Sequence, residues 1–258
     1  MFRFADLFAG IGGFRKAFES LGGECVLSVE KDKYCKISQE ANFTDSEQHV
    51  WMDDIRTVSA EDVSDMRIDL VCAGFPCQPF SRSGVSKNIS LGKQHGFQHT
   101  HGTLFFDLAR LLDTIRPRVF LLENVPNLKS HDEGRTFQII MHTLSEELGY
   151  SVHHRTVCSS PWVAQKRKRV FILGTLQDTL FNPLDQISFP QMGRYPILAD
   201  ILETSVNNKY RFTENQIATA ARHRQNHREK GNGFGAVVVS SDQQCPTLTK
   251  HYHRGGMK

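Results

Sequence analysis

The sequence predicts an α/β fold around a largely parallel sheet. Three observations carry that expectation. Short apolar runs alternate with amphipathic stretches up to about residue 174, the order of strands and crossover helices. The runs end in residues that build sites at strand ends, with Gly74 after one and Glu30 and Glu123 closing two others. A chain of 258 residues with 39% hydrophobic side chains can bury one substantial core but not several.

Taken in order, residues 2–8 read as a strand, 13–21 as a helix, 25–30 as a second strand and 68–73 as a buried strand. Residues 103–114 read as a helix, 119–123 as a strand, 136–148 as a helix and 170–174 as a further strand. Beyond about residue 175 the alternation fades and Pro183, Pro190 and Pro196 punctuate the chain, so a domain of residues 1–174 should give way to a small, irregular region at 175–258. Residues 81–101, rich in Gly, Ser and Lys and poor in apolar pattern, should form a mobile loop between two sheet elements.

Charge separates the same two regions. The net charge is only +3, but residues 207–258 hold nine basic side chains against three acidic ones, which makes that stretch the candidate surface for a polyanion. A merely solvated basic surface is the alternative. Six cysteines without a CxxC pair, and no secretory leader, point to a reduced, intracellular protein rather than a disulfide framework. No run approaches the roughly 18 apolar residues of a membrane span. His153, His154 and Cys158 cluster, as do Cys245, His251 and His253, but neither group has the paired spacing of a structural zinc site, so no metal is expected.

Between the first strand and its helix lies Asp-Leu-Phe-Ala-Gly-Ile-Gly-Gly-Phe, residues 6–14, whose Gly10 and Gly12 permit a tight turn and close approach of the backbone to a ligand. Glu30 at the end of the next strand suits the two hydroxyls of a ribose, and Asp54 and Ile55 offer an acceptor and an apolar face to an adenine. Plain structural glycines remain the alternative. Arg15 stands at the last glycine position of the dinucleotide fingerprint, so a nucleoside without a pyrophosphate fits better.

Gly-Phe-Pro-Cys-Gln-Pro-Phe, residues 74–80, sets Cys77 at the carboxyl end of a sheet strand. A buried, inert thiol is the alternative. Glu123, in Glu-Asn-Val-Pro, closes a neighbouring strand, and a thiol beside a carboxylate supplies a nucleophile and an acid. In Gln165-Lys-Arg-Lys-Arg169, an extended chain would put Gln165, Arg167 and Arg169 on one face.

Together these segments resemble the DNA (cytosine-5) methyltransferase family of the bacterial modification type. The match lies in residues 6–14, 74–81, Glu-Asn-Val at 123–125, Gln-x-Arg-x-Arg at 165–169, and Gly-Thr-Leu-Phe-Phe-Asp-Leu-Ala at 102–109. The resemblance implies a Rossmann-like S-adenosylmethionine-dependent methyltransferase sheet with a small C-terminal target-recognition region. It implies Phe8, Gly10, Gly12, Glu30, Asp54, Ile55 and Leu104 around S-adenosylmethionine, with S-adenosylhomocysteine as product. Cys77 is then the nucleophile, Glu123 the partner of N3 and the amine of the base, and Arg167 and Arg169 the residues that set the base and its phosphate. Ser81, Ser83, Gln165 and Thr247 are then DNA contacts. Lys31 stands where family members often carry an aromatic residue over the cofactor, which weakens the expected stacking.

The chemistry fits those residue types. Cytosine C5 is a weak carbon nucleophile until a thiolate adds at C6, so covalent catalysis divides the barrier. The base is stacked in a duplex and must be flipped out, which gives the loop at 81–101 a closing role. The implied partner is double-stranded DNA in a bacterial restriction-modification system, in the cytoplasm and on the nucleoid when bound. Two family segments, Glu-Ala-x-Arg-x-x-Gly-Phe-Pro and a final Gly-Asn-Ser/Ala-Val, do not occur in the sequence. That departure predicts the larger subunit of a split enzyme with a small partner subunit. The alternatives are a truncated, non-catalytic DNA-binding subunit or an RNA cytosine methyltransferase.

Overall fold

A computed structural model of the chain describes residues 1–76, 104–176, 183–188, 194–231 and 237–248. By its internal contacts the chain forms two compact units, Met1–Val157 with Arg169–Ile187, and Cys158–Lys168 with Ser188–Lys258. The expected loop at 81–101 and the expected site residues Cys77, Ser81 and Ser83 lie outside the described residues.

The strands are β1 (Phe2–Leu7), β2 (Gly23–Val29), β3 (Val50–Met52), β4 (Leu70–Ala73), β5 (Val119–Asn124), β6 (Ser151–Cys158), β7 (Gln165–Lys166), β8 (Lys168–Thr175) and β9 (Cys245–Pro246). The helices are α1 (Gly13–Glu19), α2 (Lys33–Asn42), α3 (Ala60–Val63), α4 (Leu104–Ile115), α5 (Arg135–His142) and α6 (Glu214–Glu229). The first unit is built on a seven-stranded sheet in the order β3-β2-β1-β4-β5-β8-β6. β1 pairs in parallel with β2 and β4, and β4 with β5, whereas β8 runs antiparallel to β5. β1 therefore sits beside the point where strand order reverses, which is where open α/β sheets bind ligands.

Alternate residues of these strands face opposite sides. On one side Ala5, Leu7, Leu27, Val29, Val71, Ala73, Phe120 and Leu122 join a continuous apolar cluster with Leu108, Leu111 and Leu112 of α4 and Ile140 of α5. Each of the larger buried side chains among these contributes about 1.5–3 kcal/mol relative to exposure. On the other side Phe4, Cys25, Leu70 and Cys72 form a smaller cluster, with Phe14 and Phe18 of α1 packed on it. Between Phe4 and Ala5 the β1–β2 register slips, Phe4 facing Cys25 but Ala5 facing Leu27, so Val26 is the extra residue of a bulge.

The first strand stops at Leu7, one residue before the expected end, because Phe8 takes φ 60. The expected helix at 136–148 is α5 followed by a π turn over Thr143–Glu147. In the second unit β7 and β9 pair in parallel, and α6, opened by a Thr213–Gln216 capping box, has no buried residue. Among the described residues no helix is long and apolar enough to cross a membrane.

Candidate active site

The glycine turn is held by side chains on both sides of it. Phe8, Gly10 and Gly12 all have positive φ, at 60, 54 and 85, a conformation that costs Phe8 but not the glycines. The Gly10 N–H donates to Glu30 Oε2 at 2.8 Å, and Gln39 Nε2 donates to the Gly10 carbonyl at 2.7 Å. A Cβ on Gly12 would lie 2.6 Å from the Phe43 ring, whereas one on Gly10 would meet nothing within 4 Å. The turn is thus pressed against the end of α2 at Gly12 and borders open space at Gly10.

Glu30 follows β2 and is half-buried, its other oxygen accepting from the Asp32 N–H at 2.7 Å. Two strong acceptors on a carboxylate already oriented by two amides leave lone pairs for a diol. Asp54 caps the short turn Ile55–Thr57 and is held by Arg56 Nε at 2.9 Å, with Lys31 Nζ at 3.4 Å. The Arg56 guanidinium keeps its carboxyl well below the usual carboxylate range. Ile55 is 2% exposed within the large core cluster, and Phe8 and Leu104 pack on the edge of the same cluster.

Glu123 and Arg169 meet at the carboxyl end of β5, Nε to Oε1 at 2.7 Å, with both side chains mostly shielded. Charge-assisted contacts of this length are among the stronger protein hydrogen bonds. A Cβ on Gly74 would come within 3.6 Å of Glu123 Oε2, so the segment leaving β4 passes directly by this carboxylate. Asn124, the middle residue of the Glu-Asn-Val segment, is 3% exposed and donates from Nδ2 to the Phe75 carbonyl at 2.9 Å. It ties the end of β5 to Gly74-Phe75-Pro76, the last described residues before Cys77. Its sequence signals are the Glu-Asn-Val segment and a polar residue closing an apolar strand.

In the second unit, Ser159 Oγ donates to the Gln165 carbonyl at 2.7 Å and accepts from the Arg167 N–H at 3.2 Å. Thr247 Oγ1 donates to the Lys166 carbonyl at 3.0 Å, so Gln165, Arg167 and Thr247 gather around one small ribbon. Gln165, Arg167 and Arg169 are half-buried while Lys166 and Lys168 are exposed, the alternation of an extended chain. Among the described residues no group of three or more His, Cys, Asp or Glu side chains is placed to hold a metal.

The face of the sheet that carries α1 has one further feature. A cavity of about 380 Å³ opens beside Phe2, Phe18, Leu70, Val119, Leu121 and Leu173, with Asp69 and Arg118 also lining it. Leu121 and Leu173 are directly paired in the β5–β8 ladder, so the cavity floor is the bare apolar side of those strands.

The family model for C-5 cytosine-specific DNA methylase matches residues 2–256. The chain is 40% identical over 286 residues to a DNA-cytosine methyltransferase of Escherichia coli (strain K12), covering 99% of this chain and 60% of that protein. It is 40% identical over 245 residues to the Type II methyltransferase M.HpaII of Haemophilus parainfluenzae, covering 93% and 64%. Among solved structures, the S. pombe Dnmt2 methyltransferase superposes with a TM-score of 0.69 at 16% identity, over 97% of this chain and 72% of that one. An Entamoeba histolytica methyltransferase, EhMeth, gives 0.68 at 17%, over 98% and 72%. These two share the fold. The chain spans less than two thirds of the length of the first two relatives.

Proposed function

The chain belongs to the C-5 cytosine-specific DNA methylase family, and on that premise we propose that it methylates C5 of a cytosine flipped out of duplex DNA. The observation that carries the proposal is the Glu123–Arg169 pair, set against the segment that leads to Cys77. S-adenosylmethionine supplies the electrophilic methyl group. The turn suits such a nucleoside because Gly10 borders open space while Glu30 presents an oriented carboxylate. Glu30 takes the ribose hydroxyls, Asp54 accepts from the adenine amine, and Phe8, Gly10, Gly12, Ile55 and Leu104 line the remainder.

Cys77 Sγ adds to C6 of the base, which makes C5 nucleophilic. Glu123 shares a proton with N3 and so stabilises the charge that develops as sulfur adds. Arg169 fixes the Glu123 carboxyl, and Arg167 sets the base and its phosphate. Once C5 carries the methyl group, loss of its proton and elimination of the thiolate restore the aromatic ring. Ser81, Ser83, Gln165 and Thr247 contact the DNA, and residues 175–258 read the target. A small partner subunit belongs to the same proposal. The setting is a bacterial restriction-modification system, with the protein in the cytoplasm and on the nucleoid.

The test is covalent trapping on genomic-sequence duplexes in which 5-fluorocytosine replaces cytosine, with S-adenosylmethionine present. The chain is assayed alone and together with the product of its adjacent reading frame. The expected result is a denaturation-resistant adduct that disappears in Cys77→Ser. No adduct in either preparation overturns the catalytic proposal in favour of a non-catalytic DNA-binding subunit. An adduct on structured RNA but not on duplex DNA reassigns the substrate.

A further inference from the structure

We propose that Gln39 is a positioning residue that fixes the Gly10 peptide for cofactor binding, an inference that rests on the nucleoside site proposed above. Gly10 is the least constrained point of the turn. Its φ is 54, and nothing lies within 4 Å of where a side chain would begin, so neither sterics nor packing holds it. Two side chains hold it instead. Glu30 takes its N–H at 2.8 Å and Gln39 donates to its carbonyl at 2.7 Å, so both polar groups of this residue are engaged from outside the turn.

Gln39 is fully buried, and its Oε1 has no hydrogen-bond partner. Packing alone does not account for that residue, since an apolar side chain of similar volume would fill the space without burying an unmade acceptor. What glutamine adds is the Nε2 donor. Phe43, four residues on, reinforces the brace, because its ring lies against Gly12 and under the Arg15 guanidinium at 4.7 Å. The end of α2 therefore grips the turn at two points, one polar at Gly10 and one steric at Gly12. The Gly10 N–H, one peptide before the carbonyl that Gln39 holds and joined to it at the Gly10 Cα, orients Glu30, so a change at Gln39 should reach the carboxylate that meets the ribose.

The experiment compares wild type, Gln39→Met and Gln39→Glu in binding S-adenosylhomocysteine by calorimetry from pH 8 to pH 5.5. Amide hydrogen exchange of Gly10 and Gly12 is followed without ligand. Methionine keeps the volume and removes the donor, so affinity should fall roughly tenfold at every pH, the worth of one hydrogen bond. Glutamate donates only when protonated, so its affinity should be weak at pH 8 and recover as the pH falls. Wild type supplies the baseline for Asp6, Glu30 and Arg15, the charged groups that β1, the end of β2 and α1 bring nearby. A purely structural role would lower melting temperature without that recovery. Wild-type affinity in Gln39→Met overturns the proposal. No binding by wild type overturns the nucleoside site instead, and exchange then decides: faster Gly10 and Gly12 exchange in Gln39→Met upholds the brace, unchanged exchange removes it.

Discussion

The two sides of the seven-stranded sheet are made from alternate residues of the same strands, yet their chemistry differs. One side is a continuous apolar cluster against α4 and α5. The other carries Asp6 between Ser28 and Cys72 in adjacent strands, all fully buried, with the buried Arg15 of α1 also on that side. Arg15 spends its guanidinium on Glu19 and Asp45, each at 2.7 Å, rather than on Asp6. The glycine turn springs from β1 next to this polar side. The difference teaches that one layer supplies stability and the other trades it for charge near a site.

The largest test strikes the apolar side. Phe120 is fully buried, edge-on to Tyr150 at 4.8 Å, and so close to Gly174 that a Cβ there would overlap its ring. Phe120→Ala should cost about 3–5 kcal/mol in urea unfolding. A smaller effect is expected for Arg15→Met, about 2 kcal/mol, because Glu19 and Asp45 are a third exposed and regain water when their partner leaves. If Arg15→Met costs more than Phe120→Ala, the contrast between the sides is reversed.

A different kind of effect is a pH slope, which accumulates over several pH units. Burial pushes the Asp6 carboxyl up to about 8; neither oxygen has a well-aligned hydrogen bond, and the Arg15 amide and Cys72 thiol only temper the rise. An acid whose folded value exceeds its unfolded one holds its proton more tightly when folded. Its contribution is therefore fully present below roughly pH 4 and is lost as the pH rises towards the folded value. Asp6→Asn should flatten the wild-type decline between pH 5 and 8 by up to about 1.4 kcal/mol per pH unit. Equal slopes in urea titrations of the two proteins would remove Asp6 as the source.

The same contrast explains what the sequence could tell. β1, β4, β5 and β8 are legible because their inward residues are apolar, and Glu123 is legible as an acid closing such a run. α2 is not, since its buried residue is Gln39 and its Tyr34 and Ile37 are exposed. β6 has no fully buried residue and reads as His, His, Arg and Thr between Val152 and Val157. The antiparallel sense of β8 is set by what precedes it in space, not by Val170 to Gly174. Gln39 escapes because it matters through one bond to a backbone carbonyl distant in sequence, which leaves no periodic trace, whereas Asn124 is legible through the Glu-Asn-Val segment.

The bulge at Val26 decides more than a local kink. Counted along β2 in strict alternation with Val26 kept, Leu27 and Val29 would share parity with Cys25, and Ser28 would point into the apolar layer. Deleting Val26 would leave Leu27, Ser28 and Val29 opposite Ala5, Asp6 and Leu7 and remove only the kink. A regular strand that kept Val26 in the ladder would instead invert every residue between that point and the strand's end, turning Glu30 from the turn it clasps to the opposite side of the sheet. A single surplus residue acts as the parity bit of the site: a one-residue deletion at the bulge should be tolerated, whereas a one-residue change that the bulge does not absorb should not.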